Sequence, residues 1–87
     1  MRLPAVLDLG AAAPLHAAFA TARGAALEVD ASGVERLGGL CLQVILAAQA
    51  AWAADGKAFA IINPSSGFMN AAGVMGAGET LQMGSAA

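Results

Sequence analysis

Residues 26–46 read ALEVDASGVERLGGLCLQVIL, and they carry most of the information about the fold. Its first five residues alternate between apolar and polar side chains as a short β-strand does, and a loop through Ser32 and Gly33 follows. An uncharged apolar run then begins beside the Gly38-Gly39 pair, and it predicts a helix over residues 40–54. The stretch therefore predicts a strand that leads through a glycine-containing loop into a largely apolar helix.

The flanking sequence repeats the alternation of strand and helix. RLPAVLDL, residues 2–9, predicts a first strand, and AAAPLHAAFATARG, residues 11–24, predicts a helix with Pro14 in its first turn. AFAII, residues 58–62, predicts a buried strand, and Ser65 or Ser66 then caps a third helix. Short connections between such elements predict an α/β fold with a small, mostly parallel sheet of three to four strands covered by about three helices.

The length and composition limit the domain count and the classes of partner. At 87 residues the chain predicts a single domain over residues 1–87, with residues 83–87 as a flexible tail. It is 59% hydrophobic and 11% charged, with a net charge of −2 and no cluster of Lys and Arg. Nucleic acid is therefore not an expected partner, whereas association with another protein would add stability to so small a core.

Targeting and membrane signals also bear on where the chain works. The N-terminus reaches Pro4 and Asp8 before an apolar segment of secretory length develops, which predicts a cytoplasmic protein without a signal peptide. The uncharged run at residues 37–54 lies at the lower length limit for a membrane span, and it contains Gln43 and Gln49. We interpret this run as a buried core helix and expect no direct membrane insertion.

Few residues offer chemistry. Cys41 is the only cysteine, so the sequence predicts no intrachain disulfide, and together with His16 it does not form a metal site or imply a cofactor. In the first turn of a helix Cys41 could be a reactive thiol, but a small buried residue is the favoured interpretation. His16 is expected to be solvated. With no nucleophile and base paired in the sequence, we expect neither catalytic residues nor enzymatic activity.

Nucleotide binding is a separate alternative. The Gly38-Gly39 pair could present backbone N–H groups to a phosphate, although a P-loop continues with Gly-Lys-Ser/Thr and this chain continues with Leu40. Asp8 and Asp30 both follow predicted parallel strands and could meet at the carboxyl edge of the sheet. The competing interpretations are a close approach of the glycines to the protein's own sheet and aspartates that cap the next turn or helix.

Three segments together carry a family resemblance: Asp30-Ala31-Ser32-Gly33-Val34, then Gly38-Gly39-Leu40-Cys41-Leu42, then Asn63-Pro64-Ser65. In this order they resemble a STAS domain, the sulfate-transporter and anti-sigma-factor-antagonist family, over about residues 3–78. CLQVILAAQAAWAADG, residues 41–56, further resembles short STAS proteins found with bacterial chemotaxis genes. The resemblance implies a STAS-like fold and a recognition loop that binds a protein partner.

The sequence departs from the family pattern at the position of the phosphorylatable residue, and this changes the function that we expect. Where regulatory members carry a phosphorylatable hydroxyl beside a carboxylate, this chain has Leu40 preceded by Gly39, so the switch is missing. The family's extra N-terminal strand is also not expected. Leu37, Leu40 and Leu42 are expected to supply apolar contact area. The resemblance implies these partner-binding residues: Ser32, Gly33, Val34, Glu35, Arg36, Leu37, Gly38, Gly39, Leu40 and Leu42.

Three functional hypotheses follow. The first is a non-enzymatic binding module in bacterial signalling that docks on a sensor kinase, an anti-sigma factor or a chemotaxis component. The second is a small cytoplasmic STAS subunit of a membrane transporter of the lipid ABC type, and the third is a nucleotide-binding protein. Apolar or alanine residues on nearly every face of the helix at residues 40–54 also predict a homo-oligomer, through Ala47, Ala50, Ala51 and Ala54.

Overall fold

The structure is a computed structural model that describes residues 1–81. Strands and helices alternate along the chain except at the consecutive strands β2 and β3, and this confirms the predicted α/β class. A short 3₁₀ turn, Leu9–Ala11, precedes the first helix. In chain order the elements are β1 (Val6–Leu7), α1 (Ala12–Ala22), β2 (Leu27–Asp30), β3 (Arg36–Leu37), α2 (Gly39–Ala54), β4 (Phe59–Ile62) and α3 (Ser66–Val74).

All strand pairs are parallel, as the alternation with helices predicts. β1 pairs with β3, and β2 pairs with β4 along its whole length. The N-terminal segment links the two pairs, because Leu3 N–H donates to the Asp30 carbonyl at 2.9 Å and Asp30 N–H donates to the Met1 carbonyl at 2.7 Å. The chain's first residues therefore run beside β2 before they reach β3. The carboxyl ends of β3 and β4 lead into α2 and α3, that of β1 leads through the 3₁₀ turn into α1, and β2 is followed by the loop to β3.

An aromatic cluster packs α1 and α2 onto β4. The ring of Phe19 lies 6.2 Å from that of Trp52 and 6.0 Å from that of Phe59, and the Trp52 and Phe59 rings lie 5.7 Å apart. Trp52 also donates its indole N–H to the Ala25 carbonyl at 2.9 Å, so its single polar atom is satisfied. Three elements that are distant in sequence are thereby held around one apolar centre.

The second helix has the buried face expected of a core helix. Positions three or four apart point into the core, and they are Cys41, Leu42, Ile45, Ala48 and Trp52. The interpretation of this run as a core helix is confirmed. Among residues 1–81, no helix has both the length and the hydropathy that crossing a membrane requires.

Two details of the predicted secondary structure are wrong. The first strand was expected over residues 2–9, but it is regular only at Val6–Leu7, with an isolated bridge at Arg2, because Pro4 has no N–H and interrupts the ladder. The segment at residues 31–39 was expected to be a loop, yet it contains β3, which forms because β1 offers a parallel partner. The tail expected at residues 83–87 lies outside the described residues.

Candidate functional site

The start of α2 is fixed by a close approach of Gly38 to β1. Gly38 N–H donates to the Leu7 carbonyl at 2.8 Å, and the Gly38 carbonyl accepts from Leu42 N–H at 3.0 Å. A Cβ atom at Gly38 would lie 3.2 Å from the Leu7 carbonyl oxygen. The first glycine of the pair therefore serves the close approach to the protein's own sheet.

The second glycine, Gly39, lies at the surface and is not needed for a close backbone approach. Gly39 is exposed, and a Cβ atom built on it would meet the sulfur of Met75 at 3.8 Å, an ordinary contact distance. Next to it, Leu40 leaves 46% of its surface exposed, and Met75 leaves 39% exposed. The 3₁₀ turn contacts α2 and carries Leu9, which is 77% exposed. We call Leu9, Gly39, Leu40 and Met75 the α2 entry face.

The loop before this face is held by the turn that begins α3. Ser65 N–H donates to the Ala31 carbonyl at 3.1 Å, and the Ser65 hydroxyl donates to the Val34 carbonyl. The same hydroxyl oxygen accepts from Phe68 N–H at 3.0 Å, so Ser65 is the N-cap of α3, one of the two predicted candidates. One side chain thus caps a helix and fixes the loop between β2 and β3.

Gly67 completes this junction, and its role was not predicted from the sequence. A Cβ atom at Gly67 would lie 2.8 Å from the Glu35 carbonyl oxygen and 3.1 Å from that of Val34. Only glycine lets the first turn of α3 approach the loop this closely. The available signal was a glycine two residues after the Asn63-Pro64-Ser65 turn, where a good helix former would otherwise be expected.

The structure divides the ten predicted partner-binding residues into exposed and buried groups. Ser32, Glu35, Arg36, Gly39 and Leu40 are exposed, and Gly33 and Gly38 are partly buried. Val34, Leu37 and Leu42 are buried in the core. The expectation that Leu37 and Leu42 supply contact area is therefore wrong, because pairing of β3 with β1 and the buried side of α2 turn both side chains inward. Binding of a partner by the others stays a prediction.

Cys41 is a buried structural residue, as the favoured interpretation held. Its thiol is buried and donates to the Asp8 carbonyl at 3.2 Å. Burial raises the pKa of the thiol, and the negative charge of Asp8 raises it further. The alternative of a reactive thiol is wrong, since a nucleophilic cysteine needs a lowered pKa and an accessible sulfur.

The two aspartates at the strand ends have different surroundings. Asp30 accepts from Ser32 N–H at 2.9 Å through its side chain, so it closes a turn as predicted. The hydrogen bonds from Ser32 lower the pKa of the Asp30 carboxyl below its ordinary value, and the charges of Arg2 and the N-terminus add to this effect. Asp8 precedes the 3₁₀ turn but makes no capping hydrogen bond through its side chain, so its expected capping role is wrong.

Ionisable side chains also line a groove between α1 and α2. His16 is exposed, and with Arg23 it lines a groove of about 180 Å³ between α1 and α2. Arg23 pairs with Asp55 at 2.7 Å. Within the described part of the chain, no group of three or more His, Cys, Asp or Glu side chains is placed to hold a metal ion.

The fold and the loop define a class of protein. The domain is a parallel α/β domain in which a loop after a strand leads through a glycine pair into a core helix. An Asn-Pro-Ser turn begins the next helix, and these features are those of a STAS-like domain. The chain matches the family model described as "Mlab, STAS domain" over residues 1–83, and it belongs to the STAS domain family. Searches of curated proteins and of solved structures gave no match.

Proposed function

We propose that this STAS domain is a non-enzymatic protein-docking module of bacterial signalling, resembling an anti-sigma-factor antagonist or a chemotaxis-associated protein. The observation that supports this proposal is the α2 entry face. It places an exposed leucine, Leu40, at the position where the family resemblance puts the phospho-acceptor. Exposed apolar side chains that stand together are a feature of interaction surfaces.

The backbone beneath the face supports a docking role, because it is already fixed. Gly38 is bonded to β1, and the preceding loop is bonded to the Ser65 turn and to the Ala5 carbonyl, which accepts from the N–H groups of Glu35 and Arg36. A partner would therefore meet a preorganised surface and would not have to order a loop. Less conformational entropy is lost on binding when the surface is preorganised.

The chemistry of the face also supports docking without a phosphate switch. A STAS switch adds about two negative charges to a hydroxyl at a helix N-terminus. Gly39 and Leu40 have no side-chain oxygen, and Cys41 is buried. In this proposal the partner binds constitutively in the cytoplasm, and control lies with the abundance or the modification of the partner.

The test is quantitative capture from a native lysate of the source organism after brief chemical crosslinking. Three full-length baits are compared: the unmodified chain, Leu40→Asp, and Ala17→Asp as the matched control. Ala17 is exposed on α1 and lines neither groove beside that helix, so its variant adds the same charge away from the face.

The expected result is a kinase, an anti-sigma factor or a chemotaxis protein that is recovered with the unmodified chain and with Ala17→Asp, but is lost with Leu40→Asp. Recovery of a permease or an ABC transporter component would overturn the signalling role and establish the transporter-subunit alternative. A saturable rise in melting temperature with a nucleotide would instead favour the nucleotide-binding alternative.

A further inference from the structure

The α2 entry face combines apolar side chains from three separate elements. Leu9 comes from the 3₁₀ turn, Leu40 from the first turn of α2, and Met75 from the end of α3. Single exposed apolar residues are ordinary on protein surfaces, but here Met75 lies beside Gly39, Leu40 follows Gly39 in sequence, and the 3₁₀ turn that carries Leu9 contacts α2. We therefore treat the three side chains as one patch into which a partner can pack. A partner that packs on this patch would contact side chains of the 3₁₀ turn and of two helix ends.

An acidic residue, Asp8, adjoins this patch. Asp8 immediately precedes Leu9, its carbonyl accepts from the Cys41 thiol, and its Cα would lie 4.0 Å from a Cβ atom on Gly38. Asp8 is therefore beside the first turn of α2. Within residues 1–81 the ion pair is Arg23 with Asp55, and Asp8 has no cationic partner.

The negative charge of Asp8 acts on its surroundings. It contributes to the raised pKa of the Cys41 thiol, which lies in the first turn of α2. Arg36 is the cation nearest in sequence to the glycine pair, but it lies on β3 next to Leu37, and successive side chains on a strand point to opposite sides. Since Leu37 is buried in the core, the exposed Arg36 points to the opposite side of β3, away from that core.

We propose that the α2 entry face takes an amphipathic helix of the partner whose apolar stripe packs on Leu9, Leu40 and Met75, and whose flanking Lys or Arg pairs with Asp8. This inference rests on the proposed docking function and specifies the partner's chemistry. A helix satisfies its own backbone hydrogen bonds and presents side chains, which suits a face that is built from side chains. Charge complementarity then selects a basic helix over an acidic one.

The test uses two synthetic helical peptides that share one leucine stripe and differ only in having Lys or Glu beside it. Each is titrated into the isotope-labelled full-length chain, and binding is followed by NMR shift changes. The Lys peptide is expected to shift signals of Asp8, Leu9, Gly39, Leu40 and Met75 and to bind about tenfold more tightly than the Glu peptide at low salt. The difference should narrow at high salt.

Two charge-removing variants isolate the role of Asp8. Asp8→Asn should bring the affinities for the two peptides within about twofold of each other, because the favoured ion pair is gone. Glu28→Gln, which removes an exposed carboxylate from β2, should leave the tenfold preference intact. Asp8→Lys should reverse the preference. Thermal melts check that each variant is folded.

Several results would overturn the inference: no binding of the Lys peptide, equal or tighter binding of the Glu peptide, or shifts confined to the groove between α1 and α2. The failure of this inference is distinguishable from failure of the docking function. If the natural partner is lost with Leu40→Asp while the two peptides bind the unmodified chain alike, docking stands and the basic-helix inference falls.

Discussion

Gly67 and Gly73 lie in the same helix, α3, but only the first is required by its surroundings. A Cβ atom at Gly67 would lie 2.8 Å from a backbone carbonyl oxygen, whereas no atom of residues 1–81 lies within 4 Å of one at Gly73. Gly67→Ala should therefore lower the free energy of unfolding by about 1–3 kcal/mol through overpacking. Gly73→Ala should raise it by up to about 1 kcal/mol through helix propensity.

Urea unfolding of the two glycine variants and the unmodified chain provides the measurement. Each variant makes the same chemical change in the same helix. The difference between their free energies of unfolding therefore reports how closely α3 approaches the Glu35 carbonyl. Equal stabilities for Gly67→Ala and Gly73→Ala would show that α3 does not pack on the loop as closely as described.

Asp30 gives the chain a predictable response to acid. Its pKa is lowered by the hydrogen bonds from Ser32, so the charged form is favoured in the folded state. Its contribution to stability is then fully present above the unfolded-state pKa of about 4, and it is lost as pH falls through the lower folded-state pKa. Asp30→Asn keeps an acceptor oxygen for Ser32 N–H but cannot titrate.

We therefore expect the stability advantage of the unmodified chain over Asp30→Asn to be constant at neutral pH and to shrink as the pH drops below about 5. Chemical unfolding at a series of pH values measures this difference. An advantage that grew towards low pH would have the wrong sign for a lowered pKa.

At the scale of elements, the long segments could be predicted and the short pairings could not. The periodicity of residues 40–54 and the apolar run at residues 58–62 identify α2 and β4, because each carries its own burial pattern. β3 has two residues and exists through its pairing with β1, about thirty positions away in sequence. Leu37 therefore appeared to be a loop residue, although its side chain is in the core.

The position of the α2 entry face was predicted from the sequence, but two of its four residues were not. The glycine pair and Leu40 marked it, since the family resemblance places the recognition loop there. Leu9 and Met75 could not be foreseen, because they reach the face only through the packing of the 3₁₀ turn and the end of α3 against α2.

The loop that enters α2 should not act as a phosphorylation switch. The nearest upstream hydroxyl is that of Ser32, which is exposed at the end of β2, and Ser65 is used in bonds to Val34 and Phe68. Incubation with cognate kinases, followed by intact-mass and peptide analysis, should show no phosphate at residues 38–42. A stoichiometric phosphate on Ser32 that abolished partner binding would contradict constitutive docking.

For the whole molecule, the outer side of α2 predicts self-association. Ala47, Ala50 and Ala54 are exposed, while Ala51 is half-buried, and α2 carries no charged residue from Gly39 to Ala54. We expect a concentration-dependent dimer in sedimentation velocity, and we expect Ala50→Lys to shift it to monomer. A monomer at every concentration for the unmodified chain would refute self-association but leave docking to other proteins untouched.

Docking through the α2 entry face is tested by measuring the affinity of the purified natural partner for the unmodified chain, for Leu40→Asp and for Ala17→Asp. If the partner docks on the α2 entry face, Leu40→Asp places an unpaired charge in the buried centre of the interface and should weaken binding by at least about 100-fold. Ala17→Asp should change the affinity by less than about twofold. Unchanged affinity for a folded Leu40→Asp variant would contradict docking through this face.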